Sequence, residues 1–154
     1  MGEKLTVEQE EKLRRVKNQI SWWSPNIAIY DRVLQLNFRI EETWDYWGYA
    51  PGLGFRSIKL SKRLFDFKSD VPLGATIVHE TIHKMGWQRI PYFFLEKPAY
   101  QAQSDYLHNV NWGTLSNRKM ADVIANLGAE TREYVQDQVE WFEIYKIENP
   151  AWRR

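Results

Sequence analysis

Two histidines and a glutamate stand within five consecutive residues near the middle of the chain, as His79-Glu80-Thr81-Ile82-His83. Residues four apart lie on one face of an α-helix, so a helix here would direct both imidazoles at one metal ion. Glu80 directly follows the first histidine and would reach a water molecule bound to that ion. The pattern predicts a zinc site with His79 and His83 as ligands and Glu80 as the general base for that water.

A catalytic zinc ion usually has three protein ligands and one water, so a third ligand must come from outside the motif. The downstream candidates are Glu96, Asp105 and His108. Glu96 is favoured because the motif helix should end near Gly86 and the next helix should begin near Glu96, beside the same turn. The structural alternative for Glu96 is an acid that suits the helix dipole. His108 lies more than three helical turns beyond Glu96, roughly 18 Å, so the two are rivals for one ion.

Peptide hydrolysis would also need a donor for the developing oxyanion, and a tyrosine hydroxyl is a suitable group. Tyr92, Tyr100 and Tyr106 lie near the motif in the sequence. Tyr100 is the candidate catalytic residue because it stands one helical turn after Glu96, while core packing is the alternative. A strand edge would hold an extended substrate by backbone hydrogen bonds, and the strand Phe55 to Leu60 is the candidate.

The elements that must position these residues are mainly helical. Capping residues and helical periodicity predict five helical regions. They are a helix after Thr6 with an apolar stripe of Leu13, Val16 and Ile20, a short helix from Ser24-Pro25 to about Val33, the motif helix from Ser69-Asp70 to Gly86, a helix from Glu96 through Leu107, and a last region over about 118–147 with a break at Gly128.

Between the second helix and the motif helix the apolar residues recur at every second position, which is typical of strands. The three predicted strands run from Leu34 to Ile40, from Trp44 to Tyr49 and from Phe55 to Leu60. Turn residues at 51–54 favour an antiparallel meander. The predicted fold class is α+β, mostly helical, with a short antiparallel sheet packed on the motif helix.

Length and composition indicate a single globular domain over residues 1–154. The chain is 44% hydrophobic and 15% aromatic, which excludes a disordered chain, and its net charge of +1 argues against nucleic acid as a partner. No apolar run is long enough to span a membrane. The N-terminal residues 1–16 lack the apolar stretch of a signal peptide, and there is no cysteine, so the cytoplasm is the expected location. Export by another route, or a phage origin, stays open.

The segments 56–61 and 76–83 together resemble the strand and motif helix of zincin metallopeptidases, in particular SprT-like and other minimal zincins. The segment 96–103 is similar to the glutamate-bearing helix of gluzincins. The resemblance covers roughly residues 55–108 and implies a zincin-like domain, a Zn²⁺ cofactor and hydrolysis of a peptide or protein substrate. It also implies His79, His83 and Glu96 as the zinc ligands.

The chain also departs from these families. Arg89 stands where the metzincin pattern continues with a third histidine, and arginine stays protonated and cannot bind zinc. No clear equivalent of the later SprT-like histidine is present. Two other functions therefore stay open: a non-catalytic zinc-binding protein that recognises a partner through its aromatic residues, and a zinc amidase acting on non-peptide amides such as cell-wall crosslinks.

Overall fold

The computed structural model describes residues 4–51, 56–85, 96–112 and 129–147. Most of these residues are helical, and a small three-stranded sheet completes the fold. The helices are α1 Val7–Trp23, α2 Ile27–Val33, α3 Arg63–Asp66, α4 Val71–Met85, α5 Glu96–Leu107 and α6 Ala129–Ile144, and a π-helical segment His108–Trp112 follows α5. Among them, no helix combines the length and the apolar character that a membrane crossing requires.

The first helix forms where the sequence predicts it, whereas the second begins two residues later than the predicted start at Ser24-Pro25, because Asn26 and not Ser24 is its cap. Thr6 begins α1 with a capping box: its hydroxyl accepts from the Gln9 backbone N–H, and the Gln9 side chain accepts from the Thr6 N–H. The predicted stripe of Leu13, Val16 and Ile20 is buried. Asn26 caps α2 by accepting from the Ile29 N–H.

The sheet differs from the predicted antiparallel meander, which is wrong. Its strands are β1 Asn37–Glu41, β2 Gly48–Tyr49 and β3 Ser57–Ser61, in the order β1-β3-β2. The pair β1 and β3 is parallel, and β2 is antiparallel to β3. Parallel strands need a connection of a dozen or more residues, and the stretch 42–56 supplies one. The alternating apolar residues predicted the approximate positions of the strands. They carry no information about the connection that makes β1 and β3 parallel.

The strand Phe55 to Leu60, predicted to hold substrate at an exposed edge, is also placed differently. Phe55 lies outside the described residues, and Ser57–Ser61 is the central strand, hydrogen-bonded on both sides. Its side chains Ile58 and Leu60 are buried. Strand β2 is the edge strand that closely approaches the motif helix.

Helix α4 carries the motif and packs against several other elements. Ser69 accepts from the Val71 N–H at its start, as the capping pattern predicts. Its residues are buried almost throughout, because α1, α2, the sheet and α5 surround it. Helix α5 runs antiparallel to α4, so Tyr106 near its end packs against Gly74 near the beginning of α4. A side chain at Gly74 would come within 2.9 Å of the Tyr106 Cζ atom.

Helix α4 is described as far as Met85 and α5 from Glu96 onward. Residues 86–95 lie outside the described residues, so the predicted end of α4 and start of α5 stay predictions. Helix α6 is part of the predicted last helical region. The expected roles of Gly86 as a helix stop, of Arg89 and Tyr92, and of Gly128 as a break fall outside the described residues.

Candidate metal centre

The motif residues form one buried cluster on α4. His79, Glu80 and His83 are each less than a tenth exposed. Their potential ligand atoms all lie within 4.8 Å of one another. The Nε2 atoms of the two histidines are 3.3 Å apart, and Glu80 Oε1 is 3.8 Å from His79 Nε2. The helix thus brings together the three side chains that the sequence pattern singled out.

Glu96, at the first residue of α5, completes the cluster from the opposite side. Its Oε1 atom is 2.5 Å from His83 Nε2 and 3.6 Å from His79 Nε2. The antiparallel packing of α4 and α5 explains this, because the end of one helix lies beside the start of the other. Of the candidate third ligands, Glu96 is therefore the one that touches both imidazoles.

The donor atoms fit a zinc ion. Ligand atoms about 2.1 Å from a tetrahedral zinc ion lie about 3.4 Å from one another. The distances of 3.3 Å between the two Nε2 atoms and 3.6 Å from His79 to Glu96 are close to that value. The 2.5 Å contact between His83 and Glu96 is a direct hydrogen bond, which would have to lengthen by about 1 Å on shared binding. Two imidazoles and one carboxylate form a common ligand set of catalytic zinc.

The two carboxyl groups of the site have opposite pKa shifts. Burial raises the pKa of Glu80, against the attraction of the neighbouring imidazoles. Burial alone would also raise the pKa of Glu96, but its interactions with the two neighbouring imidazoles outweigh it and lower the pKa to about 2. The environment therefore favours an ionised Glu96, suited to bind a cation, and a Glu80 carboxyl that can accept and release a proton.

Tyr100 lies on the same face of α5 as Glu96. Its ring centroid is 4.3 Å from that of His79, in an edge-to-face arrangement. The rings of Trp141 and Tyr145 on and after α6 stack near it. Burial raises the pKa of the Tyr100 phenol, so the hydroxyl keeps its proton and remains a donor.

The rival ligands do not join the cluster. Asp105 accepts a hydrogen bond from Gln101 on the same helix, 3.0 Å away. His108 begins the π-helical segment, and its Nδ1 atom is buried without a hydrogen-bond partner in the described part of the chain. The potential metal-binding group among residues 4–51, 56–85, 96–112 and 129–147 is His79, Glu80 and His83, and Glu96 adjoins it through its contacts with both imidazoles.

A polar network behind His79 was missed in the sequence. His79 Nδ1 is 2.9 Å from Gln103 Oε1, and the Gln103 amide nitrogen is 2.7 Å from Gln138 Oε1 and 3.0 Å from the Tyr134 hydroxyl. The Tyr134 hydroxyl in turn lies 3.0 Å from that of Thr76. Helical spacing offers a signal for Gln103, which stands three residues after Tyr100 on one face. Its partners Tyr134 and Gln138 lie on α6, and no local spacing in the sequence predicts their contact with Gln103.

The cluster lies in a cleft of about 620 Å³. Aromatic side chains are prominent in its walls, and three of them are well exposed: Trp44, Tyr49 and Trp141. Strand β2 forms one rim. A Cβ atom at Gly48 would lie 2.6 Å from Thr76 Cγ2 and 2.9 Å from Glu80 Cγ, so glycine lets this strand approach the motif helix closely.

Comparison of the chain with protein-family models, with curated proteins and with solved structures gives no match.

Proposed function

We propose that the protein is a zincin-like, zinc-dependent metallopeptidase. The observation that supports it best is the arrangement of His79, His83 and Glu96, whose donor atoms converge inside the cleft beside Glu80. His83 and Glu96 pair with each other at 2.5 Å. A divalent cation held by His79, His83 and Glu96 would replace that contact with bonds to the ion, and Glu80 lies beside these groups.

Zinc held there would supply a water of near-neutral pKa and would polarise a substrate carbonyl. Glu80 then accepts the proton of the attacking water and delivers it to the leaving amine nitrogen. Burial raises the pKa of Glu80, which makes its carboxylate a stronger base and suits the first of these transfers, the one from water. Both steps need only one carboxyl group.

Two further features suit a peptide substrate. The Tyr100 hydroxyl, which keeps its proton, is the proposed donor to the substrate oxyanion. Strand β2 is an edge strand beside Glu80, and an extended peptide can pair with such an edge through its backbone. The exposed rings of Trp44, Tyr49 and Trp141 would then contact its side chains.

The proposal is tested by elemental analysis of the purified protein together with a peptide-library cleavage assay. We expect one zinc per chain. The Glu80→Gln variant should retain the zinc and lose hydrolysis by about 10²–10⁴-fold, because the amide cannot accept a proton. Glu133→Gln is the matched control, since Glu133 lies in the same cleft but its side chain is 73% exposed and pairs with Arg63.

Other outcomes separate the alternatives. A zinc-loaded protein that cleaves cell-wall amides and not peptides would identify an amidase. A zinc-loaded protein that cleaves neither would support a non-catalytic interaction protein. Undiminished hydrolysis by the Glu80→Gln variant, or a purified protein that takes up no zinc, would contradict the proposed mechanism.

A further inference from the structure

A chain of hydrogen bonds leads from Asp137 to His79, and the chemistry of its groups determines which atom donates in each bond. The Trp47 indole N–H donates to Asp137 Oδ2 at 3.0 Å, and the Gln138 amide nitrogen donates to the same oxygen at 3.0 Å. Because a carboxylate only accepts, Gln138 must present its NH₂ group to Asp137 and its oxygen to Gln103. The orientation of the Gln138 amide is therefore determined by its neighbour.

The same reasoning then fixes Gln103. Its amide nitrogen faces Gln138 Oε1 at 2.7 Å, so the Gln103 oxygen must face His79 Nδ1 at 2.9 Å. An amide oxygen only accepts, so Nδ1 of His79 carries the proton. In a neutral imidazole this leaves a lone pair on Nε2, the atom that faces His83 and Glu96.

We infer that Gln103 is a positioning residue for His79, and that Asp137 and Gln138 hold Gln103 in the orientation this requires. Gln103 selects the tautomer of His79 that can bind a metal through Nε2, and it fixes the direction of the ring. The inference rests on the metal site of the proposed function and does not depend on peptide hydrolysis. Partners of this kind typically contribute 10–100-fold to metal affinity.

The competing explanation is that Gln103 only packs α5 against α6. Gln103 is 1% exposed, and its nitrogen also contacts the Tyr134 hydroxyl, so its removal would disturb packing in either case. The two roles differ at the oxygen atom. A positioning role needs an acceptor facing His79, whereas a packing role needs the whole amide and its donors to α6.

The first measurement uses the unaltered protein. Long-range ¹H–¹⁵N NMR of the metal-free protein in mildly alkaline buffer reports which ring nitrogen of each histidine carries the proton. We expect His79 to be the Nδ1–H tautomer before any metal is added, and addition of zinc should then shift its Nε2 resonance. An Nε2–H tautomer of His79 in the metal-free protein would overturn the inference, and this test needs no variant to fold.

The second measurement compares zinc affinity, by competition with a chelator, in two variants. Gln103→Leu removes the acceptor, and we expect it to weaken zinc binding about 10–100-fold and to alter the visible spectrum of the Co²⁺-loaded protein. Gln103→Glu keeps an oxygen for His79 and loses the donors to Gln138 and Tyr134, so it should bind zinc within about threefold of wild type or more tightly. Gln101→Leu, the same change two residues earlier on α5, is the matched control.

The outcomes are distinguishable from failure of the proposed function. Wild-type affinity in Gln103→Leu, or an equal loss of affinity in Gln103→Glu and Gln103→Leu, would overturn the positioning role. A protein that binds zinc as expected but cleaves no peptide would end the peptidase proposal and leave this inference standing.

Discussion

The two halves of helix α5 serve different purposes although they belong to one continuous helix. Its N-terminal half places Glu96 and Tyr100 against the histidines of α4, and Gln103, at the beginning of the second half, still reaches His79. Its C-terminal half packs the buried ring of Tyr106 on Gly74. The groups on α4 that a side chain of α5 can contact depend on its position along the helix axis. Because the helix rises 1.5 Å per residue, residues at one end of α5 cannot reach the groups that the other end contacts.

The two ends of α5 also explain why the three histidines of the chain have different positions relative to the candidate metal centre. His79 and His83 converge on α4, whereas His108 lies just beyond the end of α5. Residue type alone made His108 a candidate ligand. Because α5 packs on α4, Glu96 at the start of α5 contacts both imidazoles. His108 follows the opposite end of the same helix.

The largest difference is expected between histidine variants at the two sites. His83→Ala removes a proposed ligand and should weaken zinc binding by about 10³-fold or more. His108→Ala should leave the zinc affinity unchanged. Both constants can be measured by competition with a chelator, and a substantial loss in His108→Ala would show that the far end of α5 takes part in metal binding.

The carboxylates allow a sharper version of the same test. Glu96→Ala should lower zinc affinity by about 10²-fold, because it removes the only proposed anionic ligand. Asp105→Ala is the matched control, since Asp105 lies on the same helix and pairs with Gln101. Full zinc retention in Glu96→Ala, measured by elemental analysis after dialysis, would exclude Glu96 as a ligand.

A smaller effect is expected at Tyr100. Tyr100→Phe removes only the hydroxyl and should lower the rate of peptide hydrolysis about 10–100-fold while zinc content and thermal stability stay the same. Tyr145→Phe makes the same change on a ring that stacks with Tyr100 and should have no such effect. An equal rate in Tyr100→Phe and wild type would assign Tyr100 to packing alone.

The smallest effect concerns the packing half of α5. Gly74→Ala should reduce the free energy of unfolding by about 1 kcal/mol, because overpacking against Tyr106 costs about 1–3 kcal/mol and alanine returns about 1 kcal/mol in helix propensity. Zinc affinity should not change. Tyr106→Phe in the same chain should restore part of the loss, and chemical denaturation measures all three proteins. A fall in zinc affinity on Gly74→Ala would show that the two halves are coupled.

Local sequence patterns were sufficient for the long helices, but they did not predict the four-residue helix α3 or the π-helical segment after α5. The capping box at Thr6, the helix start at Ser69 and the i, i+4 spacing of His79 and His83 depend on neighbours within one or two turns, and the structure contains all three features. Glu96 was found because one helix must start near the end of the one before it. The parallel pairing of β1 and β3 was not found, because strand patterns look alike in either direction.

The amino-acid sequence by itself determined that two imidazoles share one helix face and that a carboxyl group directly follows the first of them, since the four-residue spacing on a helix requires it. Only the tertiary structure decided which distant groups meet them. Glu96 rather than His108 approaches the imidazoles because α5 packs antiparallel to α4. Gln138 and Asp137 support Gln103 because α6 lies beside α5, a proximity between residues more than thirty positions apart that no local pattern specifies.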